Sequence, residues 1–189
     1  GVLITSARYF RQLAQGRAQA LLPVDGEDLC AWRRGGRMPE QPEVLILSQS
    51  LDIPLQPLRD SLHRNITVLT GVDPDARSKQ MLLDAGVAVV SGVHQQVRGG
   101  DIRHWMVQRG ILSGYAIAGC GVLHSLLVDG ALDRLFITTS HKLLGGSHFD
   151  TLLRDTLPHP VTLHLNTLYY DEEQMQMFAD YTVGEDSGH

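Results

Sequence analysis

The sequence predicts an α/β fold with a mostly parallel sheet whose last strands run antiparallel. Two observations carry this. Short apolar runs without alternation recur as far as Thr139, and helical patterns that stop at glycine separate them. Runs of that kind are strands buried on both faces, and strand, helix, glycine, strand is the order of βαβ units. Beyond Pro160 the style changes: Val161-Thr162-Leu163-His164-Leu165 alternates, and no helix of useful length follows. That pattern reads as an antiparallel pair joining a mixed sheet.

Taken in order, Val2–Thr5 is a strand leading at once into a helix over Ala7–Leu13. The stretch from about Gly16 to Glu43 is irregular, with Pro23, Gly26, Gly35, Gly36, Pro39 and Pro42, and a helical turn near Glu27–Trp32. It reads as a surface insertion or as a pocket rim or subunit contact. Val44–Ser48 and Ile66–Thr70 are strands. Asp73-Pro74-Asp75 begins a helix, with Pro74 in its first turn, and Gly86 ends it. Val87–Ser91 is the next strand. Asp101 caps a helix in which Ile102, Trp105 and Met106 share a face, and Gly110 ends it. Tyr115–Ala118 is a strand, a helix runs from about Gly121 to Gly130, and Leu135–Thr139 is a strand. Leu168–Tyr170 alternates weakly, Phe178–Val183 is a further strand, and 184–189 is a loose tail.

A chain of 189 residues is long enough for a domain with a sizeable core. The formal net charge of −5 gives no electrostatic reason to expect nucleic acid or an anionic membrane as partner. No apolar run approaches the roughly 18–20 residues that span a bilayer. Cys30 and Cys120 are far apart and form no CxxC, which gives the expectation of a reduced, cytoplasmic setting.

The point of chemical interest is Gly119-Cys120-Gly121, between a strand and a helix. A helix N-terminus offers free N–H groups and the positive end of its dipole, and glycine admits a phosphate closely. In open α/β sheets ligands bind at the carboxyl ends of the strands, where Thr5, Ser6, Ser48, Thr70, Gly71, Ser91 and Gly92 also fall. The corner is neither GxGxxG nor a P-loop. Its alternatives are a phosphate seat and a tight strand-to-helix turn.

The residues that follow the corner are Gly119, Gly121, Leu123, Gly130, Leu132, Asp133 and Leu135, then Lys142-Leu143-Leu144-Gly145-Gly146. This order resembles the reductase domain of riboflavin biosynthesis, the RibD C-terminal family of the dihydrofolate reductase-like superfamily. "VLITSARYFRQL", "VLILSQSLDIP" and "AGVAVVSG" are similar to further segments of that family. The resemblance implies a three-layer α/β/α sandwich around a mostly parallel mixed sheet with C-terminal antiparallel strands, usually as a homodimer. It implies NADPH as cofactor and reduction of a phosphoribosylated aminopyrimidine or a related pteridine-like ring. On the matching positions, Thr5, Ser6, Ser48 and Thr70 line the cofactor groove, and Gly119, Cys120, Gly121, Val122 and Leu123 hold cofactor phosphate. The family's leading strand, which carries an Asp near the substrate, falls ahead of Gly1. The expectation is therefore a single domain over 1–189 that lacks this strand.

This chain departs from the family at three places. Where the family has Glu-Gly-Gly, with the Glu on substrate, this chain has Ala118-Gly119-Cys120, so Ala118 is the substrate-side position without its carboxylate. Ser6-Ala7-Arg8-Tyr9 stands for Gly-x-x-Thr, and Leu13-Ala14-Gln15 lies where Asp-Asp-Pro is usual. The alternatives that follow are a reductase, a non-catalytic nucleotide- or phosphate-binding member of the same fold, and an assembly role. No side chain is assigned as the catalytic acid.

Nine histidines raise the question of a metal, but no HExxH, HxH or Cys/His cluster is present, and none is expected. His124, in the helix after the corner, reads as satisfied or solvent-facing. Cys120 lacks an identifiable base partner for a nucleophilic role. Arg33, Arg34 and Arg37 read as a solvated loop, and Trp32 and Trp105 as packing residues.

Overall fold

The structure is a computed structural model that describes residues 1–21, 24–143, 145, 151–153 and 155–184. Pro23, Leu144, Gly146, His148 and the tail 185–189 lie outside the described residues. The chain forms two compact units, Gly1–Gly119 and Cys120–His189.

The first unit is built on five parallel strands: β1 (Val2–Ser6), β2 (Glu43–Leu47), β3 (Ile66–Thr70), β4 (Ala88–Ser91) and β5 (Gly114–Ala116). Their order is β4-β3-β2-β1-β5. β3 is buried along its whole length, which is why its sequence is an unbroken apolar run rather than an alternation. Its neighbours share the register, so Val44 and Ile46 on β2 fall on the same face as Ile66 and Val68 on β3. They pack in one core cluster with Phe10, Leu58 and Leu82. Those three come from α1 (Ala7–Ala14), α3 (Leu55–Asp60) and α4 (Ala76–Asp84). Burying a side chain such as Phe10 contributes about 1.5–3 kcal/mol. Leu45 and Leu69 point to the opposite face and are as deeply buried. α5 (Gly99–Gln108) closes on this unit through Ile102 and Trp105. At Gly114 a Cβ would lie 2.8 Å from Ile4 Cδ1 and 3.3 Å from Met106 Cε, so the glycine lets β1 and α5 approach.

Local signals place the helix ends. Gly86, Gly110 and Gly130, expected to stop helices, all have positive φ, the left-handed C-terminal geometry that glycine adopts without strain. The expected turn near Glu27–Trp32 is a full helix, α2 (Glu27–Gly35). α3 is an addition to the sequence reading: Pro57 sits in its first turn, where a missing N–H costs no helical bond. α4 starts after Asp75, whose side chain accepts from Ser78 N–H at 2.7 Å, so Pro74 precedes the cap instead of occupying the first turn. α5 is capped from within: Asp101 is its third residue, and its carboxylate accepts from Arg98 N–H at 2.9 Å.

The second unit holds α6 (Cys120–Val128) and an antiparallel sheet of β6 (Arg134–Ser140), β7 (Thr162–Asp171) and β8 (Gln176–Gly184), in the order β6-β8-β7. Parallel and antiparallel strands therefore lie in two separate sheets. The two alternating stretches expected at Val161–Leu165 and Leu168–Tyr170 are one strand, β7, interrupted by a bulge between Leu165 and Thr167. Leu163, Leu165, Leu168 and Tyr170 face Val183, Tyr181, Ala179 and Met177 across it, so all four share one face. Asn166, the extra residue, exchanges hydrogen bonds with the Thr182 hydroxyl, with Nδ2 donating at 2.9 Å. On the other face Tyr169 stacks on Phe178 at 4.8 Å. Among the described residues, no helix is long and apolar enough to cross a membrane.

Candidate functional site

Because the five strands of the first unit are parallel, their carboxyl ends share one edge, the edge at which open α/β sheets bind ligands. Thr5 and Ser6 end β1, Ser48 follows β2, and Thr70 ends β3. Thr5 lies opposite Ile46, and Ser48 N–H donates to Leu69 O at 3.0 Å, so these ends are adjacent. By strand parity Thr5, Ser48 and Thr70 share one face, and all three are buried. The Thr5 and Thr70 hydroxyls have no hydrogen-bond partner among the described residues. Leaving a buried hydroxyl unmatched costs about 1–3 kcal/mol. Ser48 is otherwise engaged: its Oγ accepts from Leu51 N–H at 3.0 Å. The turn it closes holds Leu51 at φ 56, a conformation a leucine adopts at a cost of order 1–3 kcal/mol. Ser6 occupies the N-cap of α1 but its side chain makes no capping bond.

The glycine corner spans the end of the first unit and the start of the second. Gly119 closes the first, and Cys120 and Gly121 open α6, followed by Val122 and Leu123. Neither Gly119 nor Gly121 has positive φ, and a Cβ added to either meets nothing within 4 Å among the described residues. A tight turn would require glycine for its φ or for a close neighbour, and neither applies here. Ala118, Cys120, Val122 and Leu123 are half-buried. His124 is half-buried too, with Nδ1 shielded and unpaired among the described residues.

Gly71 offers the contrast. A Cβ there would sit 2.1 Å from Gln95 O, because the loop 92–95 lies against the end of β3. Gly92 N–H donates to Thr70 O at 2.8 Å and Val72 N–H to His94 O at 2.9 Å. This loop carries a pair that sequence reasoning missed. His94 Nδ1 lies 3.2 Å from both carboxylate oxygens of Asp101, which is itself buried. Residues seven apart across a loop and a helix start match no motif, so only the fold brings them together.

Other expectations resolve locally. Tyr9, where the resembling family has Thr, packs against the core and meets Phe10 edge-on at 5.8 Å. Its hydroxyl donates to Gln19 O, and burial pushes its pKa up, partly opposed by the Arg64 guanidinium. Burial likewise holds Arg64 below the usual arginine range. Trp105 is buried as expected, with Arg109 over its ring at 5.0 Å, but Trp32 is 66% exposed and is no packing residue. The outer side of α2 leaves its indole without core to cover it. Arg33 Nε donates to Pro39 O at 2.8 Å and Glu40 O at 3.0 Å, so it ties the insertion to itself. No group of His, Cys, Asp and Glu able to hold a metal occurs among the described residues.

The first unit thus has a polar strand edge with two buried hydroxyls unmatched among the described residues, and at the glycine corner no described atom lies within 4 Å of a Cβ built on Gly119 or Gly121. These features fit a nucleotide cofactor.

No protein-family model matches the chain, and no curated protein does. Solved structures do match. A pyrimidine reductase-like protein from Corynebacterium diphtheriae superposes with a TM-score of 0.79 at 17% identity, over 98% of this chain and 76% of its own. RibD of Acinetobacter baumannii gives 0.66 at 17% identity, over 97% of this chain and 47% of its own, so this chain spans about half of it. A Saccharomyces riboflavin biosynthesis reductase gives 0.50 at 13% identity, over 97% and 88%. At these identities the likeness is one of architecture: the chain has the fold of the pyrimidine reductase-like and RibD proteins.

Proposed function

We propose that the chain is an NADPH-dependent reductase acting on a pyrimidine- or pteridine-like ring. Bound NADPH would supply the hydride. The chain's own part is to hold the nicotinamide against the ring and to exclude water, which hydride transfer chiefly requires of a protein. Thr5, Ser6, Ser48 and Thr70 supply a polar strand edge for the cofactor, and Gly119, Cys120, Gly121, Val122 and Leu123 supply backbone donors for its phosphates. The observation that carries the reading is that Gly119 and Gly121 are glycines without a steric or conformational need to be. The similar folds include a riboflavin biosynthesis reductase, which agrees with it.

One feature favours a second reading, a member of the fold that binds the nucleotide but does not reduce. Ala118 gives a substrate no carboxylate to donate to. The two separate in one experiment. Titration with NADPH, followed by melting temperature, is expected to stabilise the protein by about 2.7 kcal/mol at a hundred times Kd. Addition of an aminopyrimidine or pteridine should then oxidise NADPH, read at 340 nm. Stabilisation without oxidation supports the binding member, and no stabilisation at millimolar NADPH overturns both.

A further inference from the structure

We propose that a cavity at the amino edge of the parallel sheet binds a small carboxylic acid with an apolar body, and that Arg64 receives its carboxylate. The site is separate from the strand edge described above and does not depend on the cofactor reading.

The cavity has a volume of about 280 Å³ and lies within the first unit. Its apolar walls are Leu13 of α1, Ala20 and Leu21 of the insertion, and Pro57 of α3. Its polar end is formed by Asp60, Ser61, His63 and Arg64. α1 and α3 end here, and Arg64 stands just ahead of β3, so the cavity opens at the opposite end of the strands from Thr5, Ser48 and Thr70. Ala20, Asp60 and His63 form an exposed rim, while Leu21, Ser61 and Arg64 are buried. This stretch of the insertion is therefore a pocket rim.

The polar end is a cation held by long hydrogen bonds. Arg64 is 5% exposed. Its Nη2 donates to Leu21 O at 3.5 Å. His63 Nδ1 donates to Asp60 O at 3.2 Å, so Nε2 accepts from Arg64 Nε, at 3.3 Å. Both acceptors are uncharged, and both distances exceed the usual N–H···O range. Burial holds the Arg64 pKa down, Tyr9 opposes it, and Arg33 adds a like charge. A carboxylate matches the guanidinium fork with two shorter, charge-assisted bonds. The other polar groups narrow the class. Ser61 Oγ donates to Pro57 O at 2.9 Å, and the Asp60 carboxylate accepts from Gln56 Nε2 at 3.0 Å. Asp60 at the rim disfavours a doubly charged anion such as phosphate. The apolar walls disfavour a ligand that is all charge, because pockets of this kind take an apolar body oriented by a few polar groups.

The test titrates wild type with benzoate, with benzamide, which has nearly the same shape without the charge, and with acetate, which lacks the body. Backbone amide NMR is the readout. Benzoate is expected to give saturable shifts at residues 20, 21 and 61–64 and none at 119–123. Benzamide is expected to bind roughly tenfold more weakly through loss of the charge-assisted bonds, and acetate roughly tenfold more weakly through loss of apolar burial. R64K keeps the positive charge but not the fork, and should weaken benzoate about tenfold. A20F fills the cavity from its exposed rim with Arg64 in place, and should abolish the shifts. The proposal is overturned if benzoate gives no saturable shift at these residues, or if benzamide binds as tightly. It is overturned equally if R64K or A20F binds benzoate like wild type, and Arg64 is then a tie between the insertion and the turn before β3.

Discussion

Gly71 and Gly119 lie on the same edge of the first unit, yet they are glycines for different reasons. At Gly71 the place of a side chain is taken by the backbone of residues 94 and 95. G71A is expected to destabilise by about 3 kcal/mol through overpacking against groups that cannot rotate away, measured by denaturant unfolding. At Gly119 no described atom lies within 4 Å of a Cβ, and φ is ordinary. G119A is expected to be neutral, or to stabilise by up to about 1 kcal/mol through the unfolded chain, while NADPH binding falls. Loss of stability at G119A would mean that the corner is only a turn. The corner itself is legible in the sequence, because glycine next to a strand end is a local signal. His94 is not, because its significance lies in Asp101, which reaches it only through the fold of the loop. Trp32 misleads because an aromatic residue is read as core wherever it occurs, and nothing local tells which side of α2 is covered.

Among the elements, α4 depends on one cap. Asp75 accepts from Ser78 N–H, and these hydrogen bonds hold its carboxyl below the usual carboxylate range, helped less by Arg77. A pKa lowered in the folded state means that the cap contributes fully above the unfolded carboxyl value of about 3.9 and is lost as pH falls through the folded value. D75A is therefore expected to melt below wild type at neutral pH, and the gap should narrow below about pH 4. A gap that stays constant in acid would exclude this role. The longer elements are legible because glycine stops and apolar periodicity agree. α3 is hidden because it has six residues with prolines at its cap and in its first turn. β7 reads as two pieces because its bulge breaks the alternation that marks a strand.

Over the whole molecule, the sequence order of parallel units followed by antiparallel strands is visible because each class of strand has its own periodicity. Their division into two sheets depends on which edges meet, and periodicity within one segment carries no record of that. The bulge in β7 has a consequence for how this protein tolerates changes in length. Leu163 and Leu165 have odd numbers, Leu168 and Tyr170 even ones, and all four share a face only because Asn166 is counted out of the pairing. Removing Asn166 alone turns the strand into a regular alternation with the same four residues in phase, so the deletion is expected to fold with its β7–β8 register intact, as read by backbone NMR. Removing Leu168 instead would also let the bulge close with Tyr170 still opposite Met177, but it would set Thr167 opposite Ala179 in place of a leucine. The strand thus contains one position, Asn166, at which its length is free to vary with every paired residue kept, much as a spacer does in a reading frame, while a loss at Leu168 removes an apolar residue from that face.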